Sequence, residues 1–299
     1  MSLPTFIVIG ASRSGTTSLH HFLGQHPDIY MSPVKSPNYF VSGDALPPWE
    51  GRRLRAMARQ WVTDRQAYER LFARVHGEQA VGEVSPVYLQ SRAAPQRILD
   101  TCPDVQLVAI LREPVTRAYA HYLGRRRDGL DRRTDFRAVV EEELSAPLPD
   151  EVAFGSYVGA SRYHHFLREF FARFPADRIR IHLFEEFTAN PRGVLADVFT
   201  FLGVDPNLPV DTDARHNRSG EIEGGLRRFV WTRTVGLRTA LRPHLPARVR
   251  HAGQLVIGRS LDRPPLAPDL RARIGEALRP DVERLQSLIG RDLSGWLQA

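Results

Sequence analysis

Residues 5 to 23 read TFIVIGASRSGTTSLHHFL, an apolar run followed by a glycine-bounded loop and an amphipathic segment. The run TFIVIG (5–10) is short and apolar, as in a buried parallel strand. Leu19, Phe22 and Leu23 recur at helical spacing in the segment that follows the loop. A strand, a glycine loop and a helix in this order predict a phosphate-binding turn at the edge of a parallel sheet.

Strand-like and helix-like segments alternate outward from this stretch to about residue 204. VQLVAILRE (105–113) is the strongest strand signal, and PVTRAYAHYLGRRR (114–127) is a predicted helix with proline in its first turn. Further strands are predicted at IYMSPV, AVGEV and IRIHLFEEF. The alternation predicts an α/β fold, a three-layer sandwich with a central parallel sheet, similar to the P-loop nucleoside triphosphatases.

The pattern changes beyond residue 205. Polar, turn-rich sequence is followed by helix-like segments near 224–241 and 268–289, and no internal repeat is present. We therefore expect one domain over 1–299, with a nucleotide-binding α/β core at 1–204. A helical C-terminal extension at 205–299 is expected to complete the site.

The composition is that of a globular protein. Hydrophobic residues make up 42% and charged residues 25% of the 299 residues. The longest apolar runs are far shorter than the ~20 residues of a membrane span, and the N-terminus lacks the features of a signal peptide. The single cysteine, Cys102, excludes an internal disulfide and a cysteine-built zinc site. We expect a cytoplasmic location and no membrane span.

The net charge of +7 points to anionic partners, among them nucleic acid, nucleotides and anionic acceptors. The basic run RRRDGLDRR (125–133) is interrupted by acids and glycine, which predicts a solvated loop. The sequence contains no zinc-finger spacing and no aromatic RNA-binding motif. We expect no nucleic-acid partner, and the oligomeric state is left open.

The loop from Gly10 to Thr17 has the Gly-x4-Gly spacing of a P-loop. A nucleoside triphosphatase has lysine directly after the second glycine, and this chain has Thr16 there. The change removes the cation that reaches the β- and γ-phosphates. Arg13 is placed to supply positive charge from within the loop. The alternative is a glycine turn that only caps a helix.

Several segments together resemble sulfotransferases that use 3′-phosphoadenosine 5′-phosphosulfate (PAPS), in particular the bacterial and heparan-sulfate-type branch. GASRSGTTSLHHFLGQHPDI resembles the 5′-phosphosulfate loop of that family, and LVAILREPVTRAYAHYL resembles its 3′-phosphate segment. KSPNYF (35–40), VGEVSPVYL (81–89) and HNRSG (216–220) resemble three further family segments. The resemblance implies sulfuryl transfer from PAPS to a hydroxyl of a small-molecule, natural-product or carbohydrate acceptor. Adenosine 3′,5′-bisphosphate is the implied product, and no metal is required.

The resemblance also implies two sets of site residues. The cofactor-binding set is Arg13, Ser14, Gly15, Thr16, Thr17, Ser18, Arg112, Ala120, Arg218, Ser219 and Gly220. The catalytic set is Lys35, Glu83, Arg13 and Ser36. Ala120 stands where the family usually has a serine ligand, so one hydrogen bond to the 3′-phosphate is missing or supplied elsewhere. Arg117 is a candidate helper, or a structural ion-pair partner.

Lys35 is the only lysine among the 41 basic residues. Its ammonium is a compact, rotatable charge, whereas arginine is a planar fork. We expect it to contact the sulfuryl or leaving oxygen, and the alternative is an ordinary surface charge.

The general base is the chief departure from the family pattern. The resembling branch has a catalytic glutamate directly after this lysine, and here the residue is Ser36. Glu83, at the end of a predicted strand, becomes the leading candidate for the base, with a loop-anchoring role as the alternative. An acidic acceptor such as a phenol would need less base catalysis. The weaker candidates for the base are His20, His21, His121 and His164.

Three other functions stay open at the level of sequence. The first is a P-loop kinase or nucleoside triphosphatase, although Thr16 and the lack of a clear magnesium aspartate oppose it. The second is a catalytically impaired relative that binds the nucleotide without turnover. The third and most remote is a nucleic-acid binder, which a steep salt dependence of binding would reveal.

Overall fold

The fold is described from a computed structural model, which covers residues 2–43, 59–146, 156–213, 221–222, 261–262 and 264–298. Five strands form one parallel sheet in the order β2-β3-β1-β4-β5. They are β1 (Phe6–Gly10), β2 (Ile29–Met31), β3 (Ala80–Val84), β4 (Gln106–Leu111) and β5 (Ile179–Leu183). A short antiparallel pair joins β6 (Glu221–Ile222) to β7 (Leu261–Asp262).

Helices connect the strands and cover the sheet. In the described part of the chain they are α1 (Thr16–Leu23), α2 (Tyr39–Ser42), α3 (Arg65–Arg70), α4 (Ala94–Thr101), α5 (Pro114–Arg127), α6 (Phe136–Ser145), α7 (Tyr163–Phe171), α8 (Phe184–Ala189), α9 (Pro191–Leu202) and α10 (Pro268–Ile289). The predicted helix at 268–289 is confirmed, and the one near 224–241 lies outside the described residues.

Two hydrophobic cores lie on opposite faces of the sheet, because side chains alternate along each strand. Ile7 and Ile9 of β1 pack in one core with residues of α3, α4, α7 and α10. Phe6 and Val8 pack in the other core with residues of α1, α8 and α9. A third cluster joins α5, α6 and the first half of α10. The predicted α/β three-layer architecture is confirmed.

Some local predictions are wrong. The strand in IRIHLFEEF ends at Leu183, because the Glu186 side chain accepts a hydrogen bond from the Leu183 N–H at 3.3 Å and starts α8. The run at 125–133 is not wholly a solvated loop, since α5 continues through Arg127 and Arg125 is buried. The helix α6 was not predicted at all.

The strand order positions the site. The chain leaves β1 toward β2 on one side of the sheet and later returns to β4 on the other side. Such a reversal opens a crevice between β1 and β4 at the carboxyl ends of the strands, where α/β proteins bind ligands. The division into a core at 1–204 and an extension at 205–299 stays a prediction. No helix in the described residues has the length and apolarity needed to cross a bilayer.

Candidate functional site

The loop after β1 and the residue after β4 meet at the carboxyl edge of the sheet. Arg112 donates a hydrogen bond from Nη1 to the backbone carbonyl oxygen of Arg13 at 3.1 Å. Its guanidinium also lies 4.6 Å from the centre of the Phe184 ring. The fold therefore brings together the two segments that the sequence predicts to hold the two phosphate ends of a nucleotide.

The loop geometry depends on two residues in the left-handed backbone region. Arg13 has φ 71° and Gly15 has φ 83°, and Gly15 directly precedes the first turn of α1. The positive φ favours glycine at this position, and a Cβ would also crowd Phe187, whose Cδ1 would lie 3.1 Å away. Thr16, Thr17 and Ser18 form the first turn of α1. N–H groups of such a turn have no partner within the helix and attract anions.

Ser14 carries the observation that tests whether the loop fits a phosphate group. Its side chain is fully buried, and its Oγ has no hydrogen-bond partner. A buried hydroxyl without a partner costs free energy unless a ligand supplies the missing bond. A hydroxyl, a helix N-terminus and the nearby Arg112 fork are the groups that bind phosphate oxygens. The residues present therefore fit an anionic nucleotide.

The Arg13 side chain lies against α5. A Cβ on Gly124 would come within 2.0 Å of Nη2 of Arg13, so the guanidinium covers this glycine. Nη2 lies 3.8 Å from the Asp128 carboxylate, and the side chain is 18% exposed. Burial, followed by the positive charge of Arg127, lowers the pKa of Arg13 to about 10, and Asp128 only partly opposes this shift.

Lys35 is half-buried in the segment that follows β2. Its Nζ lies 3.4 Å from Oγ of Ser36. Ser36 has φ 62°, and its N–H donates to the Val84 carbonyl oxygen at 2.9 Å, which fixes this segment against β3. Burial lowers the pKa of His20, and the Lys35 charge lowers it further. Burial raises the pKa of Glu83, and the Lys35 charge partly opposes that rise, so the three groups share one electrostatic environment. Its contact with the sulfuryl or leaving oxygen, and the alternative of a surface charge, both stay predictions.

Glu83 is fully buried in β3 and held by three hydroxyl groups. Tyr88 and Tyr68 donate to Oε1 at 2.7 and 3.1 Å, and Ser85 donates to Oε2 at 2.6 Å. Burial raises the pKa of Glu83 to about 7, although the hydroxyl donors and Lys35 oppose the shift. The carboxyl group therefore exchanges its proton near neutral pH.

Glu83 also connects β3 to the segment that carries Lys35. Ser85, which donates to Glu83, accepts a 3.1 Å hydrogen bond from the Asn38 N–H. The predicted anchoring role of Glu83 requires such a chain of contacts. Its predicted role as a general base requires a carboxyl group with a raised pKa. Both roles of Glu83 stay predictions.

The four candidate histidines lie in different places. His20 has Nε2 3.3 Å from the Ser32 carbonyl oxygen, and burial lowers its pKa to about 4. His21 is exposed on α1. His121 packs against the Tyr157 ring at 5.2 Å. His164 lies at the start of α7, where its backbone N–H donates to Asp281 at 2.9 Å. The Lys35 charge contributes to the lowered pKa of His20, after the larger effect of burial.

The other predicted residues on α5 are buried. The methyl group of Ala120 is fully buried. Arg117 is also fully buried; its Nε donates to Ser161 Oγ at 2.8 Å, and its Nη2 donates to the Tyr157 carbonyl oxygen. Arg117 therefore holds α5 to the segment before α7. Arg218, Ser219 and Gly220 lie outside the described residues.

Sequence reasoning missed three residues that shape this site. Ser85 and Tyr88 hold Glu83, and both lie in the same stretch, VGEVSPVYL, as that glutamate. Gly124 provides the space that Arg13 occupies. A glycine inside a helix makes the helix less stable than an alanine would, by about 1 kcal/mol. A glycine at position 124 of a predicted helix was therefore the available sequence signal that another side chain approaches the helix closely there.

A groove of about 890 Å³ lies elsewhere, along the edge strand β5 and α10. Its lining includes Ile181, His182 and Leu288 and none of the predicted site residues. Within the described residues, no three His, Cys, Asp or Glu side chains are grouped to hold a metal ion. The expectation that no metal is required stays a prediction.

Comparison with known proteins identifies relatives of the whole chain. A model described as the sulfotransferase family matches residues 4–207. The crystal structure of a sulfotransferase from Alicyclobacillus acidocaldarius has a TM-score of 0.75 with 29% sequence identity, and the match covers 99% of both chains. The family resemblance predicted from the sequence is confirmed.

Curated relatives include enzymes named for heparan sulfate. Heparan sulfate glucosamine 3-O-sulfotransferase 6 of Homo sapiens is 27% identical over 300 residues, which are 98% of this chain and 73% of the relative. A bifunctional heparan sulfate N-deacetylase/N-sulfotransferase of Drosophila melanogaster is 27% identical over 225 residues, or 72% of this chain. The match spans 21% of the length of the Drosophila relative. A separate match spans 65% of the length of heparan sulfate glucosamine 3-O-sulfotransferase 3B1 of Mus musculus, so this chain spans less than two thirds of either relative.

Proposed function

This chain belongs to the sulfotransferase family, and we propose that it transfers a sulfuryl group from PAPS to a hydroxyl of a carbohydrate, natural-product or other small-molecule acceptor. The observation that carries the proposal is the hydrogen bond from Arg112 to the backbone carbonyl oxygen of Arg13, in the loop between β1 and α1. It joins a fork suited to one phosphate group to a helix N-terminus suited to another. The heparan-sulfate names of the relatives support a carbohydrate acceptor.

PAPS, when bound, supplies the sulfuryl group that the acceptor oxygen attacks. The chain's residues then have to stabilise the negative charge that spreads over the transferring and leaving oxygens. The first turn of α1, with Thr16 and Thr17, offers backbone and hydroxyl donors on one side. Lys35 offers a half-buried ammonium from the segment after β2, which is fixed to β3.

Proton removal from the acceptor falls to Glu83 in this proposal. Its carboxyl has a pKa of about 7, which is suited to a general base at neutral pH. Glu83 and the hydroxyl groups that donate to it are all fully buried, so this role requires that acceptor binding opens a path for the proton. Ser85, at 2.6 Å from Oε2, is the closest of its donors.

A second candidate is a nucleotide-binding relative without turnover. Two observations favour it. Ser36 stands directly after Lys35, where a catalytic glutamate is expected. Glu83, the candidate that would replace that glutamate as base, has no exposed surface. This candidate shares the nucleotide site with the first, so binding alone does not separate the two.

The deciding experiment has two stages. Thermal unfolding of the purified chain is followed with adenosine 3′,5′-bisphosphate and, separately, with ATP and magnesium. We expect the bisphosphate to raise Tm. Stabilisation by ATP alone would contradict the proposal that the chain binds PAPS and its bisphosphate product. PAPS is then offered with phenols, alcohols and polysaccharides, and sulfated product is measured. Binding of the bisphosphate with no product from any acceptor would favour the second candidate.

A further inference from the structure

The Lys35 segment (residues 32–36) and the phosphate loop follow strands that are not neighbours. In the sheet, β3 lies between β2 and β1, so no backbone ladder joins the segment after β2 to the loop after β1. The Lys35 segment is fixed to β3 instead, where the Ser32 N–H donates to the Gly82 carbonyl oxygen at 2.8 Å. The distance between Lys35 and the first turn of α1 therefore has to be set by contacts outside the sheet.

His20 makes a direct contact between α1 and the Lys35 segment. It lies in the second turn of α1, and its Nε2 is 3.3 Å from the carbonyl oxygen of Ser32. A carbonyl oxygen only accepts hydrogen bonds, so Nε2 carries the hydrogen and donates it. The distance is at the long end for an N–H···O bond, and we expect the bond to have a modest effect.

Ser32 passes this contact on to Lys35. The side chain of Ser32 is fully buried, and its Oγ donates to the Val34 carbonyl oxygen at 2.9 Å. The same Oγ lies 3.3 Å from the Val34 backbone nitrogen, whose hydrogen it accepts. These two bonds close a tight turn directly before Lys35. A shift of the Ser32 carbonyl group would therefore move the backbone that carries the ammonium.

The charge state of His20 suits this position. Burial lowers the pKa of His20 to about 4; the bond to Ser32 partly opposes the shift, and the Lys35 charge adds to it. The ring is therefore neutral near pH 7, and it donates a hydrogen bond without placing a second positive charge beside Lys35. A ring with so low a pKa is also a poor general base at neutral pH.

We propose that His20 is a positioning residue for Lys35: through the Ser32 carbonyl oxygen, it holds the ammonium at the distance from the first turn of α1 at which both meet the transferring group. The proposal rests on the proposed function, since it needs Lys35 to act on a sulfuryl group. His20 itself does not touch the ligand. Loss of its donor should leave the nucleotide bound and misplace the ammonium.

The ammonium can be observed by itself, because Lys35 is the only lysine of the chain. Reductive methylation of the full chain with ¹³C-formaldehyde labels Lys35 and the N-terminal amine, and the Lys35→Arg variant identifies the signal of the latter. In the wild type we expect PAPS to shift the Lys35 NMR signal more than adenosine 3′,5′-bisphosphate does, since PAPS also carries the sulfuryl group. This measurement needs no acceptor, so it tests the inference independently of turnover.

Three substitutions of His20 test the bond. In His20→Leu the donor is lost, so the PAPS-dependent shift should shrink and turnover should fall about 10-fold, the value of one hydrogen bond. The Kd of adenosine 3′,5′-bisphosphate should stay within about threefold of the wild type. His20→Gln keeps an N–H donor of similar reach and should recover turnover to within about threefold. His20→Asn is as polar but shorter by one methylene group, and it should not recover turnover.

His26→Leu is the matched control. His26 follows α1 and is buried, and its Nε2 also lies close to a backbone carbonyl oxygen, that of Asp205 at 3.1 Å. This bond does not involve the Lys35 segment. Its loss should lower Tm and leave the PAPS-dependent shift as in the wild type. Equal effects of His20→Leu and His26→Leu on the shift would give His20 a merely structural role and overturn the inference.

The pH profile of kcat separates positioning from proton removal. His20→Gln should have the profile of the wild type, and loss of its rising limb would make His20 the base and overturn the inference. A wild-type shift of the Lys35 signal in His20→Leu would overturn it as well. If the wild-type signal does not respond to PAPS, Lys35 is not at the transferring group and the inference fails with it. A wild-type chain that does not bind the bisphosphate would overturn the proposed function itself.

Discussion

The guanidinium of Arg112 donates a 3.1 Å hydrogen bond to the backbone carbonyl oxygen of Arg13. The bond crosses the boundary between β4 and β1, where the order of strands in the sheet reverses. It uses one of the five donors of the arginine fork to hold the phosphate loop. If Arg112 binds a phosphate group as proposed, one residue couples the shape of the loop to the binding of that group.

Arg112→Lys should weaken this coupling. Lysine keeps the charge but loses the planar fork, so it cannot hold the loop and a phosphate group at once. We expect the affinity for adenosine 3′,5′-bisphosphate, measured by calorimetry, to fall about 10- to 100-fold, a loss of about 1.5 to 3 kcal/mol. Arg178→Lys is the matched control, because Arg178 also donates to a carbonyl oxygen, that of Pro103 at 2.8 Å, but is exposed and precedes β5. A similar loss in both variants would contradict the coupling.

Lys35→Arg should separate turnover from binding. The half-buried ammonium lies 3.4 Å from Oγ of Ser36, and arginine would replace this compact charge with a wide planar fork. We expect turnover with PAPS to fall about 100-fold, as when one donor to a developing charge is lost, and bisphosphate affinity to stay within about threefold of the wild type. Near-normal turnover would return Lys35 to the role of a surface charge.

Glu83→Gln should change the pH dependence of stability. The pKa of Glu83 is about 7 in the folded chain, above its ordinary value of 4.5. The folded state therefore holds this proton more tightly than the unfolded state, and the free energy of unfolding falls as pH rises from about 4.5 to about 7. The difference amounts to about 3 kcal/mol at 1.36 kcal/mol per pKa unit. Denaturant unfolding of the variant should lack this loss.

The same substitution tests the base. If Glu83 accepts the proton, wild-type kcat should rise with pH through about 7, and the variant should show a low and flat profile. Tyr68→Phe removes a hydroxyl that donates to Oε1 at 3.1 Å, so it should raise the pKa of Glu83 and move the midpoint to higher pH. Turnover that is unchanged in Glu83→Gln would leave only the anchoring role.

Ser14→Ala should have opposite effects on stability and on binding. The Ser14 hydroxyl is buried and has no partner, so its removal should leave the stability of the free chain unchanged or raise it by about 1 kcal/mol. Bisphosphate affinity should fall about tenfold, because a phosphate oxygen loses its donor. Ser85→Ala is the contrast: it removes a 2.6 Å bond to Glu83, so the free chain should lose stability. A Ser14→Ala variant that binds as tightly as the wild type would place the ligand elsewhere.

The sequence by itself determined the fold class and where in it the candidate site is expected. The apolar run at Phe6–Gly10, the loop and α1 are contiguous, and their periodicities are local properties that neighbouring residues set. The alternation of strands and helices then dictates a parallel sheet, because parallel strands need crossover connections. Parallel strands end at the same edge of a sheet, so the predicted phosphate-binding segments after β1 and β4 lie close together at that edge.

Only the tertiary structure decided how individual side chains are used. Arg13 rests on Gly124, and Glu83 is enclosed by Tyr68, Tyr88 and Ser85. The direction of a side chain and the pKa of a buried carboxyl depend on packing and desolvation by residues distant in sequence. A linear pattern records which groups are present. The packing of α5 against Arg13 and of α3 against the sheet determines which of them meet.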